Sequence, residues 1–308
     1  MVLILNGISP TNLPQDTQSL YNDYPVYAKT AGDLLAIPSR VIEPNKLLYV
    51  GQSEFAAVLP HDPNVDIIGS DAATTCIIIV LRHSGSGAVA LGHFDGSETK
   101  EGVVAVIQKL RGLSLARSEG RLELQLIGAY ENESSSSEEV FRGIIQAFHE
   151  YPDGIHLTLA CVGKVITIYD DKKVPKPIIY GIGIRVKSGE MFPATYPDKG
   201  PEQHLRSIRS IEALPSQRMV DIYDNESGFL KIQPFHYEPW AHRSCWSNRT
   251  DEALLQRYST SPMAEPPDMA HNIRNMLKFI HEHSARDVFK DNKPLLFRMH
   301  SGLWEPLD

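Results

Sequence analysis

The chain has 308 residues, 42% hydrophobic and 22% charged, enough to bury a core of its own and unlike the composition of a disordered segment. A formal charge of −8 and a pI near 5.8 exclude nucleic acid as a main partner, because phosphate binding needs a basic surface. Three cysteines without short-range pairing exclude a disulfide framework or a zinc ribbon, and no stretch reaches the roughly 18 apolar residues that a membrane span requires.

The opening MVLILNGISP has a short apolar run and no basic stretch, so it reads as the start of an intracellular chain rather than a secretion signal. A modest helical pattern falls on residues 30–37. KLLYV at 46–50 reads as a short buried strand closed by Gly51, and HDPNVD at 61–66 as a turn. The sharpest local feature is IIGSDAATTCIIIVLRH at 67–83. A short apolar entry is broken by Gly-Ser-Asp, and CIIIVL follows as an unbroken β-branched run of the kind found in fully buried strands.

SGSG at 84–87 is a turn, and AVALGHF at 88–94 its returning strand. Residues 97–110 have helical spacing. RLELQLIGAY at 121–130 alternates as a strand, and ESSSSEEVFRGIIQAFHEY at 133–151 reads as a helix with a serine cap and acids in its first turn. Strands are predicted at 155–163, 176–186 and 219–235, the last with Asn225–Gly228 as its turn, and helices at 199–211 and 268–283. Strand runs interleaved with few helices make the class α+β, a mixed-sheet or β-sandwich core flanked by helices. No repeat or linker divides the chain, so it reads as a single domain over 1–308.

The chemistry centres on Cys76. Cysteine is among the residues most often buried, and Cys161, inside LTLACVG, reads as core packing. Cys245 lies in a polar, aromatic segment (HRSCWSN) with nothing nearby to organise it. Cys76 instead sits where small and polar residues meet a stiff strand. That context offers a nucleophile a rigid base, an open approach and backbone N–H groups of the 73–76 turn for an oxyanion. A thiol is mostly protonated at neutral pH, so it needs a base, commonly histidine. With the hairpin centre near residue 85, Cys76 faces about residue 94, which selects His93 from the twelve histidines.

The segment IIGSDAATTCIIIVLRHSGSGAVALGHFDG (67–96) closely resembles the signature of the protein N-terminal asparagine amidohydrolase family. KLLYVGQ near 46, GPEQHLR at 200–206, STSPMAEPP at 259–267 and SGLWEP at 301–306 resemble the same family in the same order. That likeness implies a deamidase core at roughly 46–187, with a family-specific part at 188–308. A more distant likeness is to bacterial chemoreceptor glutamine deamidases and deamidating toxins of the cytotoxic necrotizing factor fold. In the chemoreceptor deamidases the histidine lies 17 positions after the cysteine, as here (93 − 76 = 17), and a hydroxyl residue six positions before it, where Ser70 stands (76 − 70 = 6). The loop before Cys76 is longer here, leaving Thr74 and Thr75 as rivals of Ser70 for the third catalytic position.

The resemblance implies an enzyme that converts N-terminal Asn to Asp and marks proteins for the N-degron pathway. No cofactor or metal is expected. Its partners would be proteins with a free N-terminal Asn and other enzymes of that pathway, in the cytoplasm or the nucleus and away from membranes and nucleic acid. Cys76, His93 and Ser70 are the expected catalytic residues. Recognition of an α-ammonium calls for a carboxylate, and Asp71 and Glu265 are the candidates, with Thr75 beside them in the substrate site. The alternatives are a deamidase of internal Gln or Asn, and a non-catalytic adaptor with the same fold.

Overall fold

A computed structural model describes residues 2–114, 119–211, 219–239 and 244–307, and the side chain of Cys245 lies outside that description. Two mixed sheets packed face to face form the centre. The larger has seven strands in the order β1 (Val2–Leu5), β9 (Gly154–Gly163), β8 (Leu122–Tyr130), β6 (Ile77–His83), β7 (Val89–Phe94), β4 (Glu54–Val58), β14 (Val220–Asp221). The smaller has five, in the order β2 (Arg40–Val41), β13 (Met191–Thr195), β12 (Ile182–Arg185), β5 (Ile67–Ser70), β3 (Leu47–Tyr49). Between them lies one apolar cluster, with Leu48, Ile68 and Ile182 from the small sheet against Ile78, Val80 and Leu91 from the large one.

The opposite face of the large sheet is covered by helices. Ile77, Ile79, Leu81, Leu124 and Leu126 pack there against Val103, Val106 and Ile107 of α3 (Thr99–Ser114) and Phe141, Ile144 and Phe148 of α4 (Ser136–Glu150). Both faces of β6 are therefore dry, which is why its sequence is an uninterrupted apolar run instead of an alternating one. Helices α1 (Thr17–Asp23) and α2 (Val26–Leu35) lie in the chain between β1 and the other strands. The hairpin β10 (Thr167–Tyr169) and β11 (Pro175–Pro177) stands apart.

The C-terminal part adds the sheet β15 (Tyr223–Asp224), β16 (Phe229–Ile232), β17 (Leu295–His300), β18 (Leu303–Pro306). With it come helices α5 (Gln203–Ile211), α6 (Ser244–Ser247), α7 (Asp251–Tyr258), α8 (Met269–Glu282) and α9 (Ala285–Val288). Leu205, Ile208, Ile273 and Met276 from α5 and α8 join the cluster between the sheets, so this part shares the central core. The architecture is mixed α/β, with several mixed sheets and helices.

Some elements differ from the sequence expectation. The region 176–186 divides into β11 and β12 because the chain moves between sheets within it; in 219–235 the turn at Asn225–Gly228 falls between β15 and β16 as expected, and β14 splits off to the large sheet. The strands β1, β4 and β13 and the β17–β18 hairpin were not expected; β1 is short and pairs in parallel with β9, far along the chain. Ser135 does hold the N-cap of α4, but in a left-handed conformation (φ 59°) with no side-chain cap bond. The Ser137 N–H is directed instead to Asn132 Oδ1 at 3.4 Å.

Candidate active site

Cys76 closes a bend just before β6, and His93 lies on β7 beside it. The ladder pairs Ile77 with Phe94 and Ile78 with His93. Cys76 and Ile78 share the face turned to the small sheet, so His93 is the diagonal neighbour of Cys76 on that face. The hairpin is thus displaced by one residue from the expected register, with Asp95 rather than residue 94 level with Cys76. Alternation keeps His93 on the nucleophile's side.

Ser70 ends β5 in the other sheet, and packing of the sheets brings its Oγ to 2.8 Å from His93 Nδ1. Both residues are buried. The rival hydroxyls are engaged elsewhere. Thr74 Oγ1 accepts from Ser261 at 2.9 Å and approaches Glu265 Oε1 at 3.4 Å, while Thr75 Oγ1 pairs with Thr260 Oγ1 at 2.8 Å. His93 Nε2 is out of solvent and has no partner among the described residues.

Burial dominates the electrostatics. It pushes the Cys76 thiol far above its ordinary range, and the carboxylates of Asp95 and Glu265 add to the effect. Burial also lowers His93 to about 4, against the smaller opposing pull of Asp95 and Asp71. The free enzyme therefore holds a neutral thiol beside a neutral imidazole. A stability consequence follows. The unfolded chain protonates His93 near its ordinary 6.5, whereas the folded chain does so only near 4, so stability is full above 6.5 and falls as pH drops toward 4. Urea unfolding at pH 7 and pH 4.5 should show this fall, and His93→Gln should flatten it by up to about 3 kcal/mol.

Asp71 follows Ser70 and is already compensated. Its Oδ1 takes Lys199 Nζ and the Tyr49 hydroxyl, each at 2.7 Å, and its Oδ2 the Tyr196 N–H at 3.3 Å. Lys199, the chain's own ammonium, thus occupies Asp71 Oδ1 in the free protein. Glu265 is different. Its Oε1 accepts from Ser261 at 3.0 Å and from Ser259 and Thr74, while its Oε2 is buried with no partner among the described residues. Burial raises this carboxyl above the usual range against those three hydrogen bonds.

The wall beyond His93 rests on a buried ion pair that sequence reasoning did not identify. Arg206, from the GPEQHLR segment, donates from Nε to Glu54 Oε1 at 3.0 Å, pairs through Nη2 with Glu54 Oε2 at 2.5 Å, and reaches the Tyr49 carbonyl at 2.7 Å. Both side chains are at most 5% exposed. An arginine in a short amphipathic helix carries no mark of such a partner; the family-like segments around Tyr49 and Arg206 were the available signal. A cavity of about 110 Å³ lies here, bounded by His93, Asp71, Lys199, Gln52 and Met276 among others. Cys76 and Glu265 are not among its walls, so this space adjoins the base rather than the nucleophile.

The Cys76 backbone is clamped by β8. Its carbonyl accepts the Ala129 N–H at 2.8 Å, and Thr74's accepts that of Tyr130 at 3.1 Å. Gly128 has φ +122°, and a Cβ there would meet the Cys76 carbonyl oxygen at 2.3 Å. Gly128→Ala is therefore expected to shift the nucleophile and lower turnover by about 100-fold, the scale of an ångström-size misplacement. Gly112→Ala, on α3 with open space around it, should leave turnover unchanged and raise the melting temperature slightly.

A buried thiol, an imidazole with one nitrogen bound and the other bare, and a desolvated carboxylate together make a site suited to acyl transfer from an amide. The family model for protein N-terminal asparagine amidohydrolase matches residues 37–306. The chain is 36% identical to the human protein N-terminal asparagine amidohydrolase and 34% identical to the mouse one, in each case over 100% of this chain and 98% of the relative. The Arabidopsis thaliana protein of that name is 23% identical over 85% of this chain and 81% of its own length. The protein is a hydrolase that acts on an amide. It belongs to the protein N-terminal asparagine amidohydrolase family. An adaptor without catalysis is accordingly set aside. Among the described residues, no helix is long and apolar enough to cross a membrane, and no group of three His, Cys, Asp or Glu could hold a metal ion.

Proposed function

We propose that the protein deamidates the side chain of an N-terminal asparagine through Cys76, with His93 as acid/base, Ser70 orienting His93, and Glu265 anchoring the free α-ammonium. The likeness to chemoreceptor deamidases, in the order Ser70, Cys76, His93, is part of the same reading. The bare Nε2 of His93 takes the Cys76 proton as Sγ attacks the amide carbon. For this the Nδ1–H must donate to Ser70 Oγ, which fixes the tautomer. The N–H groups of residues 74–76 face the developing oxyanion; Ala73 is excluded because its N–H already donates to the Tyr180 carbonyl at 2.9 Å. His93 then protonates the amide nitrogen, the C–N bond breaks and ammonia leaves a thioester on Cys76. Water gives a proton to Nε2 as its oxygen bonds to the carbonyl carbon. The C–S bond breaks and sulfur recovers that proton. These steps need no metal or cofactor.

The observation that carries N-terminal selectivity is Glu265 Oε2, a buried carboxylate oxygen with no partner among the described residues. Desolvating such a group is unfavourable until a cation arrives, and an α-ammonium supplies both charge and N–H donors. Thr75 serves substrate binding indirectly, tying the bend at Cys76 to the 259–265 loop through Thr260. The substrates are cytoplasmic or nuclear proteins with a free N-terminal Asn, and the Asp produced would hand them to arginylation and the other enzymes of the N-degron pathway. Mass spectrometry of three peptides tests this. An Asn-starting peptide should gain the mass of an amide-to-acid conversion, while its Nα-acetylated form and a peptide with internal Asn stay unchanged. Equal conversion of all three would establish an internal deamidase instead.

A further inference from the structure

The proposed steps leave one carboxylate beside the nucleophile without a task. Asp95 follows β7 directly, and continuing the ladder beyond Ile77 and Phe94 brings it level with Cys76, where opposed residues of an antiparallel pair share a face. It is half-buried. Gln52 Nε2 and Ser53 Oγ donate to its Oδ2, both at 3.0 Å, and the Ser97 N–H to its Oδ1 at 2.8 Å. Burial pushes this carboxyl up, but those hydrogen bonds outweigh it and hold the group below the usual range, hence ionised. Among the described residues no lysine or arginine forms an ion pair with it. Of the charges around the site, Asp95 acts most strongly on both Cys76 and His93.

A fixed anion here opposes formation of a thiolate, and it opposes the oxyanion as well. Nucleophilic attack gains from it only through His93, whose charged form the anion favours. The nitrogen side of the reaction gives a further reason for it. A carboxamide presents an NH2 with two donors, whereas the product presents a carboxylate with none. We propose that Asp95 is a specificity-determining residue that accepts a hydrogen bond from the substrate's side-chain NH2 and repels the carboxylate formed from it. This rests on Cys76 as the nucleophile. The NH2 donates to Asp95 while Sγ attacks. When Nε2 passes its proton to that nitrogen, the adjacent anion favours the positive charge building there. Once ammonia has left and water has cleaved the thioester, two carboxylates face each other and the product is expelled. The same repulsion keeps chains that already begin with Asp out of the site.

The test measures binding of the Asp-starting product peptide to the Cys76→Ala protein, in which no chemistry occurs, and to the same protein with Asp95→Asn or Asp95→Ser added. Product affinity should rise at least about tenfold in either doubly substituted protein, as removal of a like-charge contact requires. In the active enzyme, Asp95→Asn should lower kcat/KM for Asn peptides about tenfold or more and bring on product inhibition. Unchanged product affinity in both doubly substituted proteins overturns the proposal, even if turnover falls, because a purely structural role would spoil turnover without admitting the product. Failure of the Cys76 reading shows separately, as absence of a trapped thioester on Cys76 when the wild-type reaction is quenched with acid.

Discussion

Cys76→Ala is expected to abolish deamidation, lowering turnover by about 10⁴-fold or more, while circular dichroism and the melting temperature stay close to wild type. The side chain is small and 8% exposed at a strand end, so replacing it leaves little cavity and frees no charge. The comparison is Cys161→Ala. Cys161 is fully buried on β9 opposite Ile127, and its removal should lower stability modestly through lost packing and leave kcat unaltered. Normal turnover in the Cys76→Ala protein, or inactivation by Cys161→Ala alone, would remove Cys76 from the mechanism.

Glu265→Gln is expected to reduce kcat/KM for Asn-starting peptides by about 100-fold, since a desolvated charge-assisted contact is worth several kcal/mol. Much of the loss should appear in KM, with a share in kcat because the anchor also positions the amide over Sγ. The free enzyme should meanwhile become more stable. Its buried carboxylate is only half satisfied, and a neutral amide of the same shape removes that burden, so the melting temperature should rise. Activity and stability moving in opposite directions marks a residue kept for binding. A variant that keeps full kcat/KM toward free N-termini would assign the ammonium site elsewhere.

Several parts of this arrangement were legible in the chain itself. An unbroken CIIIVL run needs a strand dry on both faces, and β6 is covered by helices on one side and by the small sheet on the other. Small polar residues ahead of it, and a return through AVALGHF, place a thiol and an imidazole on neighbouring strands by local geometry alone. Period-two alternation then secured the face even though the register moved by one residue. The Ser70 position was readable from its spacing to Cys76 by resemblance, and its orienting of His93 from the need for a third group, but not the sheet packing that makes the contact.

What tertiary structure alone decided are the partners that no local pattern encodes. Ser70 reaches His93 because two sheets pack together, and sheet packing depends on summed apolar area rather than on any one residue. Asp71 and Glu265 looked alike as acids in polar segments. Lys199 neutralises the first across 128 residues (199 − 71 = 128), and the fold buries the second with one oxygen bare. Glu54 and Arg206 pair across 152 residues in the same way. A sequence carries the charge of each side chain, but whether that charge meets a counter-ion, a hydrogen-bond donor or nothing depends on which distant segments the core brings together.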